Sequence, residues 1–193
     1  MRALAPIFSA VWWTAIVLLA IQISVTSVAR FVVGSEAAPE PILANTFATP
    51  FFFLHVVASV TALLIAPLQF VRAVRTRWPS VHRYIGRTYL AACVIAAPTG
   101  FVLALGTSAG LLAGSGFALI ALLWAASTWL GWRAAVERRF GDHRDWMVRS
   151  YALLAGAISL RLYLPAALTM GFDYYDAYPV IAWLSWLTNL AIA

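Results

Sequence analysis

The chain has 193 residues, of which 63% are hydrophobic and only 10% are charged. So apolar a composition excludes an ordinary soluble domain, which must cover its core with polar residues. The net charge of +6 comes from 13 basic residues, all arginine, and they gather at the ends of apolar runs, which is the pattern of a membrane protein and excludes a nucleic-acid-binding surface.

Apolar runs of about 18 residues or more read as transmembrane helices. The first covers 7–33. Arg2, the apolar run and Ser27-Val28-Ala29 imitate a signal peptide with its cleavage site, but the run is too long, and an uncleaved helix is expected. Trp12 and Trp13 are expected to anchor it at an interface. Gln22 and Thr26, at i and i+4, offer an interhelical hydrogen bond. The connector Gly34–Ala48 holds Glu36, Glu40 and no basic residue.

A second helix is expected over 49–71, with His55, Ser59, Ala62, Ala66 and Gln69 on one stripe that faces other helices. Arg72, Arg75, Arg77, Arg83 and Arg87 follow, with Trp78-Pro79 marking the turn. The third helix is expected over 84–107, kinked at Pro98. An uncharged hairpin leads to a fourth helix, 110–136, whose Gly110, Gly114 and Gly116 admit a close neighbour. The next connector carries Arg133, Arg138, Arg139, Arg144 and Arg149 against Glu137, Asp142 and Asp145. A fifth helix is expected over 146–170. Asp173 and Asp176 lie in the last connector, before a marginally short segment over 178–193. The single Cys93 lies inside an apolar run and excludes an intrachain disulfide.

Together these read as one all-α integral membrane domain over 1–193, an antiparallel bundle of about six transmembrane helices in contact with the lipid bilayer. The basic connectors two-three and four-five place themselves and the N-terminus in the cytoplasm.

Depth sorts the polar residues into two layers. At about 1.5 Å of rise per residue, His55 lies roughly 7–8 Å inside the outer boundary and Arg161 roughly 22 Å from the inner one, so both belong to the outer half. A charge at that depth costs about 2.5–3.5 kcal/mol on insertion scales and marks a candidate site. Asp173 and Asp176 are the nearest acidic candidates to offset it. Trp183, Trp186 and Asn189, at i, i+3 and i+6, are expected to close an outer polar cavity with His55 and Arg161. The inner layer holds His82, Arg83, Arg87, His143 and Arg149, with Asp145 and Arg149 spaced for a salt bridge.

Two histidines at similar depth on different helices meet the minimum for axial ligation of a haem, with nearby arginines to neutralise its propionates. His82 and His143 are therefore the candidate iron ligands of a haem b; the plainer reading is that they cap or hydrogen-bond the helix ends. His55 has no second histidine at its depth. Classical catalysis is poorly supplied: there is no intramembrane carboxylate pair, no HExxH, no CxxC, no Walker loop and no GxSxG, and no catalytic residue is assigned.

The stripe from His55 to Gln69, the segment His82-Arg83-Tyr84-Ile85-Gly86-Arg87-Thr88-Tyr89 and the segment His143-Arg144-Asp145-Trp146-Met147-Val148-Arg149-Ser150-Tyr151-Ala152-Leu153, with Arg161, resemble a family of bacterial predicted membrane proteins, domain of unknown function 2306. The resemblance covers about Phe51 to Leu168 and implies a multi-pass protein of the bacterial cytoplasmic (inner) membrane. The helix layout is also loosely similar to diheme b-type cytochromes, from which it departs by lacking an outer histidine pair. The expected function is binding of a cofactor or small ligand, haem or quinone, linked to electron transfer. The alternative is a non-catalytic accessory or assembly subunit whose partners are other subunits of a larger membrane complex.

Overall fold

The structure, a computed structural model, describes the backbone of residues 5–33 and 44–193 and the side chains of residues 13–29, 44–48 and 51–193. Every regular element among the described residues is helical: α1 (Ala5–Val33), α2 (Ala48–Phe70), α3 (Arg72–Arg77), α4 (Pro79–Leu105), α5 (Gly110–Val136), α6 (Phe140–Leu154), α7 (Gly156–Thr169) and α8 (Tyr174–Ile192). Four stretches are long and apolar enough to cross a membrane: Phe51–Phe70, Pro79–Leu105, Gly110–Val136 and Phe140–Thr169. Only 28% to 39% of each stretch's most apolar window is buried within the chain. Apolar side chains such as Val94, Leu111 and Leu122 therefore face outward, a surface suited to lipid and not to water.

Several helices start earlier than their apolar runs. α4 begins at Pro79, not near Tyr84, with proline in the first turn where its missing N–H costs nothing. α6 begins at Phe140 and not at Trp146. α8 begins at Tyr174, not Tyr178, because Asp173 caps it: its Oδ1 accepts from the Tyr175 N–H at 2.8 Å. An apolar run ends where hydrocarbon ends, whereas a helix continues through the charged residues beyond. His82, Arg83 and His143 thus stand inside first turns rather than in the loops before them. The fifth expected helix is also interrupted, at Ala155 between α6 and α7.

Residues 34–43, with Glu36 and Glu40, and the side chain of Trp12 lie outside the described residues. Trp13 packs against Phe70 (ring centroids 5.6 Å apart) and Tyr151 (6.4 Å), so it joins helices instead of marking an interface. Thr26 turns back onto its own helix, its hydroxyl donating to the carbonyls of Gln22 (3.0 Å) and Ile23 (3.1 Å).

α2 packs on α4, α4 on α5 and α5 on α6; α8 returns beside α7 and α5, and α1 lies along α2. The stripe on α2 faces α4 as its small residues require, with Ala62 and Ala66 fully buried. Gly114 permits the α4–α5 contact, since a Cβ there would sit 2.9 Å from the Ala104 carbonyl oxygen. At the end away from the arginines, Asn45 Nδ2 donates to the Leu103 carbonyl at 2.8 Å and the Thr46 N–H to that of Gly106 at 3.1 Å. These satisfy carbonyls that the end of α4 leaves open.

Candidate functional site: the seam between α4 and α6

α4 and α6 rise in the same direction from the arginine-rich end without packing backbone to backbone. α5 lies against both, and long side chains cross the gap. About 15 Å above the helix starts, five side chains form one network. Tyr89 Oη and Ser150 Oγ are 2.8 Å apart, and Ser150 Oγ lies 2.7 Å from Thr128 Oγ1. Trp124 Nε1–H donates to Tyr89 Oη at 2.9 Å, and the Cys93 thiol donates to Thr128 Oγ1 at 3.4 Å. Tyr89 is 1% exposed and Ser150 0%. Burying hydroxyls in so apolar a setting is tolerable only because each finds a partner.

Tyr89 and Ser150 are 61 positions apart in the chain, and so are His82 and His143. Each histidine precedes its hydroxyl residue by about two helical turns on the same face. Two parallel helices in constant register bring together both levels of the seam, and His143 does lie within electrostatic reach of His82, together with Arg75 and Arg83. The His143 ring is oriented by α5: its Nδ1–H donates to the Gly131 carbonyl at 2.8 Å, and its Nε2 has no hydrogen-bond partner among the described residues. His82 Nδ1 is buried with no hydrogen-bond partner among the described residues. Its backbone carbonyl accepts from Gln69 Nε2 at 3.2 Å, which pins the first turn of α4 to α2.

Arg75 and Arg83 act on His82 through their charge alone: no arginine hydrogen bond to either histidine is present among the described residues. Arg83, Arg87 and Arg149 all have exposed side chains. Arg149 lies over the Trp146 ring, 4.9 Å from its centroid, rather than pairing with Asp145. The ion pairs among the described residues sit in the second basic connector, where Glu137 accepts from Arg133 at 2.7 Å and from Arg139 at 2.7 Å, and Arg139 also meets Asp142. Hydrogen bonds from Arg133 and then Arg139 hold the Glu137 carboxyl below the usual carboxylate range.

At the opposite end, His55 Nδ1–H donates to the Ala96 carbonyl at 2.9 Å, and its Nε2 faces Ser59 Oγ at 3.5 Å. The ring lies close against Gly100, where a Cβ would meet its Cε1 at 2.7 Å. Arg161 reaches the Ala157 carbonyl (3.1 Å) and Ser27 Oγ on α1 (3.3 Å), within electrostatic reach of His55 and Tyr178. Asp173, in the last connector, caps α8 through its Oδ1.

The α8 residues take a different role from closing that cavity. Trp183 Nε1–H donates to the Leu112 carbonyl at 2.9 Å, and its ring covers Gly116. Trp186 is buried against Gly156. Asn189 spans the α6–α7 break, its Nδ2 donating to the Ala152 carbonyl at 3.2 Å and its Oδ1 accepting from Ser159 Oγ at 2.9 Å. A break at membrane depth frees backbone groups, and a neighbouring side chain supplies the missing partner.

A sort by charge and titratability passes over Tyr89, Trp124, Thr128, Ser150 and Ser159. The signal for two of them was the matched spacing from His82 to Tyr89 and from His143 to Ser150.

A family model described as "Predicted membrane protein (DUF2306)" matches residues 52–193, a span that holds both seam helices, His55, Arg161 and the α8 face. No curated protein and no solved structure matches the chain.

Proposed function

The chain belongs to this family of predicted membrane proteins (DUF2306), and from that premise we propose that it is an electron-transfer-linked protein whose seam holds a haem b between His82 and His143. The register of α4 and α6 carries this reading. What supports it is that His82 and His143 lie within electrostatic reach of each other on helices that do not pack backbone to backbone, and that among the described residues His143 Nε2 and His82 Nδ1 have no hydrogen-bond partner. A bis-histidine haem takes one imidazole nitrogen from each of two residues and no cluster of three ligands. A bound haem b supplies one-electron transfer, and the protein's part is to orient His143 through Gly131 and to keep the site dry from above through the Tyr89 network.

In this reading the chain crosses the bacterial inner membrane six times, with α1 and α8 as the first and last spans and the N-terminus and the arginine-rich end in the cytoplasm. The outward-facing charge of both basic connectors supports that orientation. Expression with abundant haem, followed by a pyridine haemochromogen assay on the purified protein, tests the reading. It predicts about one haem per chain from the two-ligand stoichiometry; apoprotein under those conditions counts against it.

The second reading is a non-catalytic accessory subunit of a respiratory-type membrane complex. The observation favouring it is that the Tyr89–Ser150–Thr128–Trp124 network is satisfied internally, as a purely structural core would be. Stable co-purification with other membrane subunits, without haem, would select it.

A further inference from the structure

The two basic connectors differ in one respect. The second pairs Arg133 and Arg139 with Glu137 and Asp142, whereas residues 72–90 carry Arg72, Arg75, Arg77, Arg83 and Arg87 and no acid. All five of these side chains are exposed, and no ion pair reaches any of them among the described residues. Arg83 and Arg87 stand one turn apart on one face of α4, a like-charge spacing that destabilises a helix unless an anion lies between the charges.

The same face continues upward as Ala91, Val94, Ile95 and Pro98, all exposed, with Val94 at 65%. Beside the arginines stand Trp78 and Tyr84, the latter 74% exposed, side chains with the amphipathic character of a membrane interface. One ridge thus offers cations at the level of a headgroup, flanked by aromatic rings, then an apolar track with a small residue, Ala91, just above the charge. That sequence of chemistries is complementary to a single phospholipid.

We propose that Arg83 and Arg87 form a binding site for the phosphate of an anionic phospholipid whose acyl chain lies along Ala91, Val94 and Pro98. A soluble anion is the poorer match, because Arg87 stands about 12 Å above the start of α4, on the lipid-facing side of a membrane span. The site is independent of the haem reading, as it uses neither histidine.

The test is lipid retention, measured by native mass spectrometry of protein released from nanodiscs containing equal phosphatidylglycerol and phosphatidylcholine of the same acyl chains. The wild-type chain is expected to keep phosphatidylglycerol preferentially. In R83Q/R87Q that preference falls roughly thirtyfold, about fivefold for each arginine lost. R83K/R87K retains most of it, which separates loss of charge from misfolding, and R139Q, at an arginine already paired with Glu137 and Asp142, leaves it unchanged. Equal retention of both lipids by the wild type, an unaltered preference in R83Q/R87Q, or full displacement of the lipid by millimolar inorganic phosphate would overturn the proposal.

Discussion

Tyr89 Oη lies 2.8 Å from Ser150 Oγ across the gap between two helices that do not otherwise pack together, and each residue stands two turns above a histidine of its own helix. The hydrogen bond therefore does more than join two hydroxyls. It ties α4 to α6 in the register that sets His82 and His143 at the same level of the seam, each within electrostatic reach of the other.

Loss of that bond should be costly and cooperative. Y89F strands the Trp124 N–H and removes a partner from Ser150, and leaving such groups unsatisfied costs about 1–3 kcal/mol. Thermal unfolding in detergent should show Y89F and S150A each less stable than wild type. The double variant should be less destabilised than the sum, with coupling of about 0.5–3 kcal/mol. Additive losses would mean that the two hydroxyls do not act as a unit.

Asn189 offers a second, separable test. N189A leaves the Ala152 carbonyl at the α6–α7 break without its donor, and interhelical bonds of this kind contribute about 0.6–1.7 kcal/mol. Hydrogen exchange should become faster at Ala155 to Ser159 with little change in α4. Unchanged protection there would show that the break needs no side chain to hold it.

The α4–α5 contact leaves no room at Gly114. G114A places a methyl 2.9 Å from the backbone oxygen of Ala104, which cannot rotate away as a side chain would, and overpacking of this sort costs about 1–3 kcal/mol. A lower melting temperature is expected for G114A than for A113G, which only removes a methyl next to it. The reverse order would mean that the helices are further apart than described.

Orientation is read from labelling of intact cells with a membrane-impermeant maleimide. S108C, in the uncharged hairpin, should react from outside, and S80C, at the arginine-rich end, only after lysis. Cys93 is buried and should stay silent in both. Labelling of S80C alone in intact cells would invert the topology.

Much of the fold was legible in the amino-acid sequence because a hydrocarbon solvent imposes few solutions: apolar length shows where helices lie, and arginine placement shows which ends belong together. The helix starts at Pro79, Phe140 and Tyr174 were not, since apolar runs stop at His82, Arg144 or Asp176 while backbone hydrogen bonding does not. The break at Ala155 had no local signal either, because alanine and glycine are ordinary inside a membrane run, and what marks the place is Asn189 on another helix. The histidine pair was visible as equal depth. The register that joins it was present only as a repeated spacing, which becomes meaningful once α4 and α6 are known to run parallel.

The proposed function requires that this register present His82 and His143 to one haem iron. The direct measurement is the reduced-minus-oxidised visible spectrum of purified wild-type protein, H82A, H143A and Y89F, all expressed with abundant haem. The wild type should show a low-spin b-type spectrum, H82A and H143A should each lose it or become high-spin, and Y89F should keep haem with weakened retention. A wild type without a Soret band, or a low-spin spectrum that survives in both histidine variants, would contradict it.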